Sequence, residues 1–108
     1  MLAFIETAIF TRAITSLLAD VEFSELQGTL LVNPEAGDLI PGTGGLRKVR
    51  WREGRRGKGK RSGIRVIYYW YQSGSLIYML IAYSKGQQDD LTTREKSVLR
   101  SLVAEELK

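Results

Sequence analysis

The chain of 108 residues carries 16 Lys and Arg against 12 Asp and Glu, a formal net charge of +4, and contains neither cysteine nor histidine. Those two absences exclude a disulfide framework, zinc held by thiolate or imidazole, cysteine nucleophiles, Ser-His-Asp triads and RNA cleavage by paired imidazoles. At this length the sequence predicts one domain, residues 1–108, with a core of useful size, and leaves any chemistry to Lys, Arg, Tyr, Asp, Glu or a hydroxyl.

In chain order, Leu2 to Ile5 reads as a short strand. Thr7 is then placed to cap a first helix, running to about Ala19, in which Ile9, Phe10, Ile14, Leu17 and Leu18 share a face. Asp20 is placed to cap a second helix with Phe23, Leu26, Leu30 and Leu31 at helical spacing, ended by Asn33-Pro34. Glu35 to Thr43 is a connection with a brief extended piece at Asp38 to Ile40, and Gly42, Gly44 and Gly45 supply a tight turn into the next strand. Leu46 to Arg52 alternates: Leu46, Lys48, Arg50 and Arg52 take one face, Arg47, Val49 and Trp51 the other. Ile64 to Tyr71 is a second such strand, Ser73-Gly74 starts a hairpin turn, and Leu76 to Tyr83 is apolar enough for a central strand buried on both faces. Thr92-Thr93-Arg94-Glu95 has the form of a capping box, opening a last helix with Val98, Leu99, Leu102, Val103 and Leu107 as its stripe. The order implies an α+β fold: an antiparallel sheet, two N-terminal helices packed on one side and a C-terminal helix.

Charge is distributed unevenly along this frame. Ten of the sixteen Lys and Arg lie between Arg47 and Arg65, whereas residues 1–40 hold six acids and one base, Arg12. Such a dipole steers a polyanion to one face. The cations occupy two strands and the Gly/Lys/Arg loop between them, interleaved with Trp51, Tyr68, Tyr69, Trp70 and Tyr71, rings of the kind that stack on bases. Arg47, Arg52, Arg55, Arg56 and Tyr68 are accordingly the expected RNA-binding residues. Gly54-x-x-x-x-Gly59-Lys60 copies part of a P-loop, but Arg61 replaces the hydroxyl residue that would hold magnesium, and a strand follows where a helix is needed. Asp89 and Asp90 read as solvated loop acids.

RNA cleavage without metal or imidazole needs a base for the ribose 2′-OH, a cation for the phosphate and an acid for the departing 5′-oxygen. Crowding by like charge lowers a lysine pKa, which makes Lys48, Lys58, Lys60 and Lys85 the candidate proton-transfer groups. Arginine stays charged, so Arg50, Arg61 and Arg65 suit phosphate stabilisation. Tyr68 is a further possible donor, with core packing the alternative. No cofactor or metal is expected. No run reaches the length of a membrane span and the opening residues lack a basic n-region, so a cytoplasmic protein is expected, with no membrane partner.

The blocks GTGGLRKVR, GKGKRSGIRVIYYW and LIAYSKGQQDDLT resemble the RelE-like toxins of bacterial type II toxin–antitoxin systems, closest to the HigB-type branch. The resemblance spans roughly residues 28–91. It implies a microbial-RNase-like α+β fold and a ribosome-dependent mRNA endoribonuclease, an mRNA interferase that docks on ribosomal RNA in the A site, cuts mRNA there and leaves a 2′,3′-cyclic phosphate. A HigA-type helix-turn-helix antitoxin would be its partner. The family's paired basic positions match Lys48 and Arg50, its arginine on the next strand matches Arg65, its lysine-rich loop matches Lys58 and Lys60, and its basic residue after the last strand matches Lys85. The family's tyrosine near the carboxyl terminus has no counterpart, since no tyrosine follows Tyr83, and Gly86 stands where RelE has an arginine. The alternative is a non-catalytic module that binds RNA or the ribosome and blocks translation.

Overall fold

The structure, a computed structural model, describes residues 2–51, 63–88 and 90–106. Among them the elements run β1 (Ala3–Glu6), α1 (Ala8–Leu17), α2 (Asp20–Val32), β2 (Asp38–Leu39), β3 (Leu46–Trp51), β4 (Ile64–Tyr71), β5 (Leu76–Ser84) and α3 (Thr93–Glu106). The fold is α+β, with one five-stranded sheet in the order β1-β5-β4-β3-β2. β2, β3, β4 and β5 pair antiparallel, as the hairpins require. β1 adds in parallel to β5, which makes the sheet mixed: the chain leaves β1 through two helices and re-enters at the opposite edge. No helix among the described residues is long and apolar enough to cross a membrane.

Each helix start is satisfied by a side chain. Thr7 Oγ1 accepts from Phe10 N at 3.0 Å and its hydroxyl donates to Leu80 O at 2.7 Å, so one residue both caps α1 and ties it to β5. Asp20, expected as a cap, lies inside α2; the cap position is Ala19, whose backbone N–H donates to the Glu22 carboxylate at 2.9 Å. A carboxylate within the first turn performs the task expected of the residue before it. For α3 the capping box forms: Glu95 N donates to Thr92 Oγ1 at 3.0 Å and Thr92 N to Glu95 Oε1 at 2.9 Å.

Two apolar layers enclose the sheet. On one face Phe10, Ile14 and Leu18 with Leu26 and Leu30 cover Val49, Ile64, Val66, Tyr68, Ile77, Met79 and Ala82, and Phe10 and Phe23 bring α1 and α2 together with ring centroids 5.9 Å apart. On the other, Leu99, Leu102 and Val103 of α3 meet Leu46, Ile67, Leu80 and Tyr83. The helical stripes are narrower than their spacing suggests, because Ile9, Leu31 and Val98 are 63%, 46% and 58% exposed at the rims.

A bulge in β5 sets which residues enter which layer. Tyr68 pairs with Met79 but Ile67 pairs with Ile81, so Leu80 is an extra residue. Strict alternation from Ile77 and Met79 would send Ile81 and Tyr83 to the α1/α2 side. Beyond the extra residue the phase reverses: Ala82 joins Ile77 and Met79, and Ile81 and Tyr83 join the α3 side.

Tyr68 is fully buried on the α1/α2 face and its hydroxyl is spent on the 34–37 loop, donating to Pro34 O at 2.6 Å and accepting from Gly37 N at 2.9 Å. Gly37 approaches so closely that a Cβ would lie 2.8 Å from the Tyr68 ring and 3.0 Å from the Lys48 backbone. Tyr68→Phe leaves the buried Gly37 N–H without its acceptor and is expected to cost about 1–3 kcal/mol in urea denaturation.

Candidate functional site

The side of the sheet that carries α3 also carries Lys48, Arg50 and Arg65. Lys48 and Arg50 alternate with Val49, which faces α1 and α2, and Arg65 precedes Val66, which does the same. In the register Arg50 lies directly opposite Arg65, and Arg65 directly opposite Tyr83 on its other flank. Three strands thus contribute one cross-strand row, Arg50–Arg65–Tyr83. The neighbouring row is Lys48–Ile67–Ile81.

The electrostatics of the first row are unfavourable as they stand. Directly opposed side chains in an antiparallel pair have Cβ atoms about 5 Å apart, and like charges there repel. Arg65 is only 6% exposed, yet among the described residues neither it nor Arg50 has a carboxylate within ion-pair distance or a side-chain hydrogen bond. No nitrogen of Arg65 is fully buried without a partner, so its guanidinium tip still reaches solvent. Tyr83, 4% exposed, adds a hydroxyl that is buried without a hydrogen-bond partner. Two cations and an unused donor in one row form an arrangement that an oxyanion completes.

Asp90 brings a carboxylate to this face. Its Oδ1 sits 3.4 Å from Lys48 Nζ and accepts from Leu91 N at 2.8 Å. The backbone hydrogen bond from Leu91, and then Lys48, hold its carboxyl below the ordinary range. Glu95 is also held low, chiefly by the backbone N–H of Thr92. Asp90 acts in the opposite sense on Tyr83: burial first, and Asp90 second, push the phenol up to about 12, against the pull of Arg65. The phenol therefore keeps its proton across the neutral range, and its O–H is available as a hydrogen-bond donor.

The remaining sequence-derived candidates fall in three places. Lys85 is exposed in the turn after β5, where its backbone N–H donates to Gly63 O at 3.0 Å and so fastens the end of β5 to the start of β4. Lys58, Lys60, Arg61, Arg52, Arg55 and Arg56 lie outside the described residues. Arg47 and Tyr68, expected to touch RNA, lie on the opposite side of the sheet. The Arg47 guanidinium donates to Gly37 O at 2.7 Å and pairs with Glu35 at 3.4 Å, and Tyr68 is sealed in the core. Alternation removes both from the cationic face. It also places Trp51 and Trp70 against the helix-side core, leaving Tyr69 on the α3 side.

Sequence reasoning missed Tyr83 as a member of the row and Asp90 as the partner of Lys48. The first was hidden by the bulge, the second by a separation of 42 residues along the chain. No protein-family model matches the chain.

Two outcomes follow. Asp90→Asn keeps an acceptor for Leu91 N but removes the charge that faces Lys48, so the variant should elute from a heparin column at higher salt than the wild type; unchanged elution would remove Asp90 from the anion-facing surface. Because the carboxyls of Asp90 and Glu95 are depressed in the folded protein, their contribution to stability is present above their ordinary values of 3.8 and 4.5 and is lost as pH falls through the lower folded ones. The melting temperature should therefore fall on acidification below that range, and Glu95→Gln should flatten the fall.

Proposed function

We propose that the chain is a toxin of the RelE-like superfamily, HigB-type, that works in the cytoplasm as a ribosome-dependent mRNA endoribonuclease held in check by a HigA-type antitoxin. The observation that carries the proposal is the Arg50–Arg65 pair, two opposed guanidinium groups without a carboxylate among the described residues. A phosphodiester between them relieves the repulsion and gains charge-assisted hydrogen bonds. The sequence blocks that resemble RelE-like toxins contribute the same residues, Lys48, Arg50 and Arg65.

The reaction that fits is internal transesterification. The ribose 2′-oxygen attacks the adjacent phosphorus, the bond from phosphorus to the 5′-oxygen breaks, one proton leaves the 2′-OH and one reaches the departing 5′-oxygen. Arg50, Arg65 and Arg61 stabilise the charge that builds on the phosphoryl oxygens, and Lys48, Lys58, Lys60 and Lys85 are the residues available to move protons. Docking in the A site supplies the alignment of 2′-oxygen, phosphorus and 5′-oxygen, so modest acid–base groups suffice.

The test is a purified cell-free translation reaction with mRNA 5′ ends mapped by primer extension. New ends inside translated codons, absent when ribosomes are left out, are the expected result. Translation arrest with intact mRNA would overturn the enzyme in favour of a binding module. Arg50→Ala changes an exposed side chain on β3, so it should fold normally and lower the cleavage rate by about tenfold or more.

A further inference from the structure

We infer that the hydroxyl of Tyr83 is a phosphate-binding donor, completing with Arg65 and Arg50 a three-strand cradle for one phosphodiester of the RNA. The inference rests on the nucleic-acid reading above and adds a residue to it.

Three observations converge on Tyr83. Its side chain is 4% exposed and its hydroxyl has no hydrogen-bond partner, the only such buried side-chain polar atom among the described residues. Native interiors rarely leave such a group idle, because an unmade hydrogen bond keeps its full desolvation penalty. The ring stands directly opposite Arg65, itself buried and without an ion-pair partner among the described residues, and Arg65 stands opposite Arg50. The chain also departs from regular alternation to put it there: the extra residue Leu80 turns Tyr83 from the α1/α2 layer to the cationic side. The displaced backbone is accommodated by Thr7, whose hydroxyl bonds Leu80 O at 2.7 Å. Bulges that re-aim a side chain recur next to functional sites.

The surroundings decide what the hydroxyl binds. Asp90 and Glu95 raise its pKa and Arg65 lowers it, after the larger effect of burial, and the result near 12 keeps the proton on the oxygen. A protonated phenol offers one O–H donor, and the two guanidinium groups beside it offer donors alone. An acceptor-rich anion satisfies these donors together, whereas a cation satisfies none of them.

The experiment compares wild type, Tyr83→Phe and Arg50→Ala in binding a short single-stranded RNA whose central nucleotide is 2′-deoxy, over a series of salt concentrations, with thermal melting of each protein. Tyr83→Phe deletes only an unpartnered oxygen, so its melting temperature should be no lower than that of the wild type. Its affinity should fall about tenfold, the loss of one hydrogen bond to a charged group. The slope of log affinity against log salt should stay unchanged, because a neutral donor displaces no counterion, while Arg50→Ala should reduce the slope by about 1. Equal affinity for wild type and Tyr83→Phe would overturn the inference, as would a slope that falls with the affinity, which would mean that Tyr83 acts only by positioning Arg65. The translation assay judges the enzyme separately: a protein that loses RNA affinity on Tyr83→Phe yet never cuts mRNA keeps the cradle and loses the nuclease.

Discussion

A β-strand can direct its side chains to only two sides, and β4 occupies the place in the sheet where both sides are taken. Ile64, Val66 and Tyr68 go to the α1/α2 layer, Arg65 and Ile67 to the other, and every one of these residues is buried. Arg65 is thus fixed in direction by apolar neighbours before and after it. The rest of the molecule follows from that fixed cation. β3 sets Arg50 against it, β5 sets Tyr83 against it, and the segment before α3 brings Asp90 to Lys48 beside it. Between buried Ile64, Val66 and Ile67 the stem of Arg65 has little freedom, so its charge is held in place.

The same alternation shows why the positive stretch is not a uniform patch. Lys48 and Arg50 face the α3 side, while Arg47, next to Lys48, crosses to the far side and is consumed holding the carbonyl of Gly37. That loop is in turn held by Tyr68, and its glycine lies too near the ring and the Lys48 backbone to carry a side chain. The Gly-Thr-Gly-Gly turn has a comparable role at the start of β3. Gly44 and Gly45 take φ of +76° and +117°, and buried Thr43 closes the turn by donating to Ile40 O and accepting from Leu46 N. Residues that a motif presents side by side therefore divide into a structural set, which keeps β3 in register, and a chemical set, which the register presents.

The elements were legible because their signals are local. Caps, the Asn-Pro stop, the Ser-Gly hairpin and the period-two strands depend on neighbours within a few residues, and each appears within a residue or two of its expected place. The parallel pairing of β1 was not legible, since it depends on where the chain goes after two helices. The site was legible to the extent that it follows alternation: Lys48, Arg50 and Arg65 fall on one face as the pattern requires. The period also told against Trp51, Arg47 and Tyr68 sharing that face with them, yet the charge and aromatic count drew Arg47 and Tyr68 into the expected binding set. Tyr83 was illegible for the opposite reason. A single extra residue reverses the period, and nothing in the apolar run Leu76 to Tyr83 marks Leu80 as the residue that breaks it.

The parallel edge has a consequence for how the molecule forms. β1 pairs with β5, and the contact between Thr7 and Leu80 spans 73 positions of the chain. Contacts of such separation bear a large loop-closure cost before they return any energy, and they slow folding. During synthesis the amino-terminal strand emerges early but has no strand to pair with until β5 has followed it out. The β1 edge consequently closes last, so that an unfinished chain holds the arginines of β3 and β4 without the strand that supplies Tyr83 or the edge that secures it.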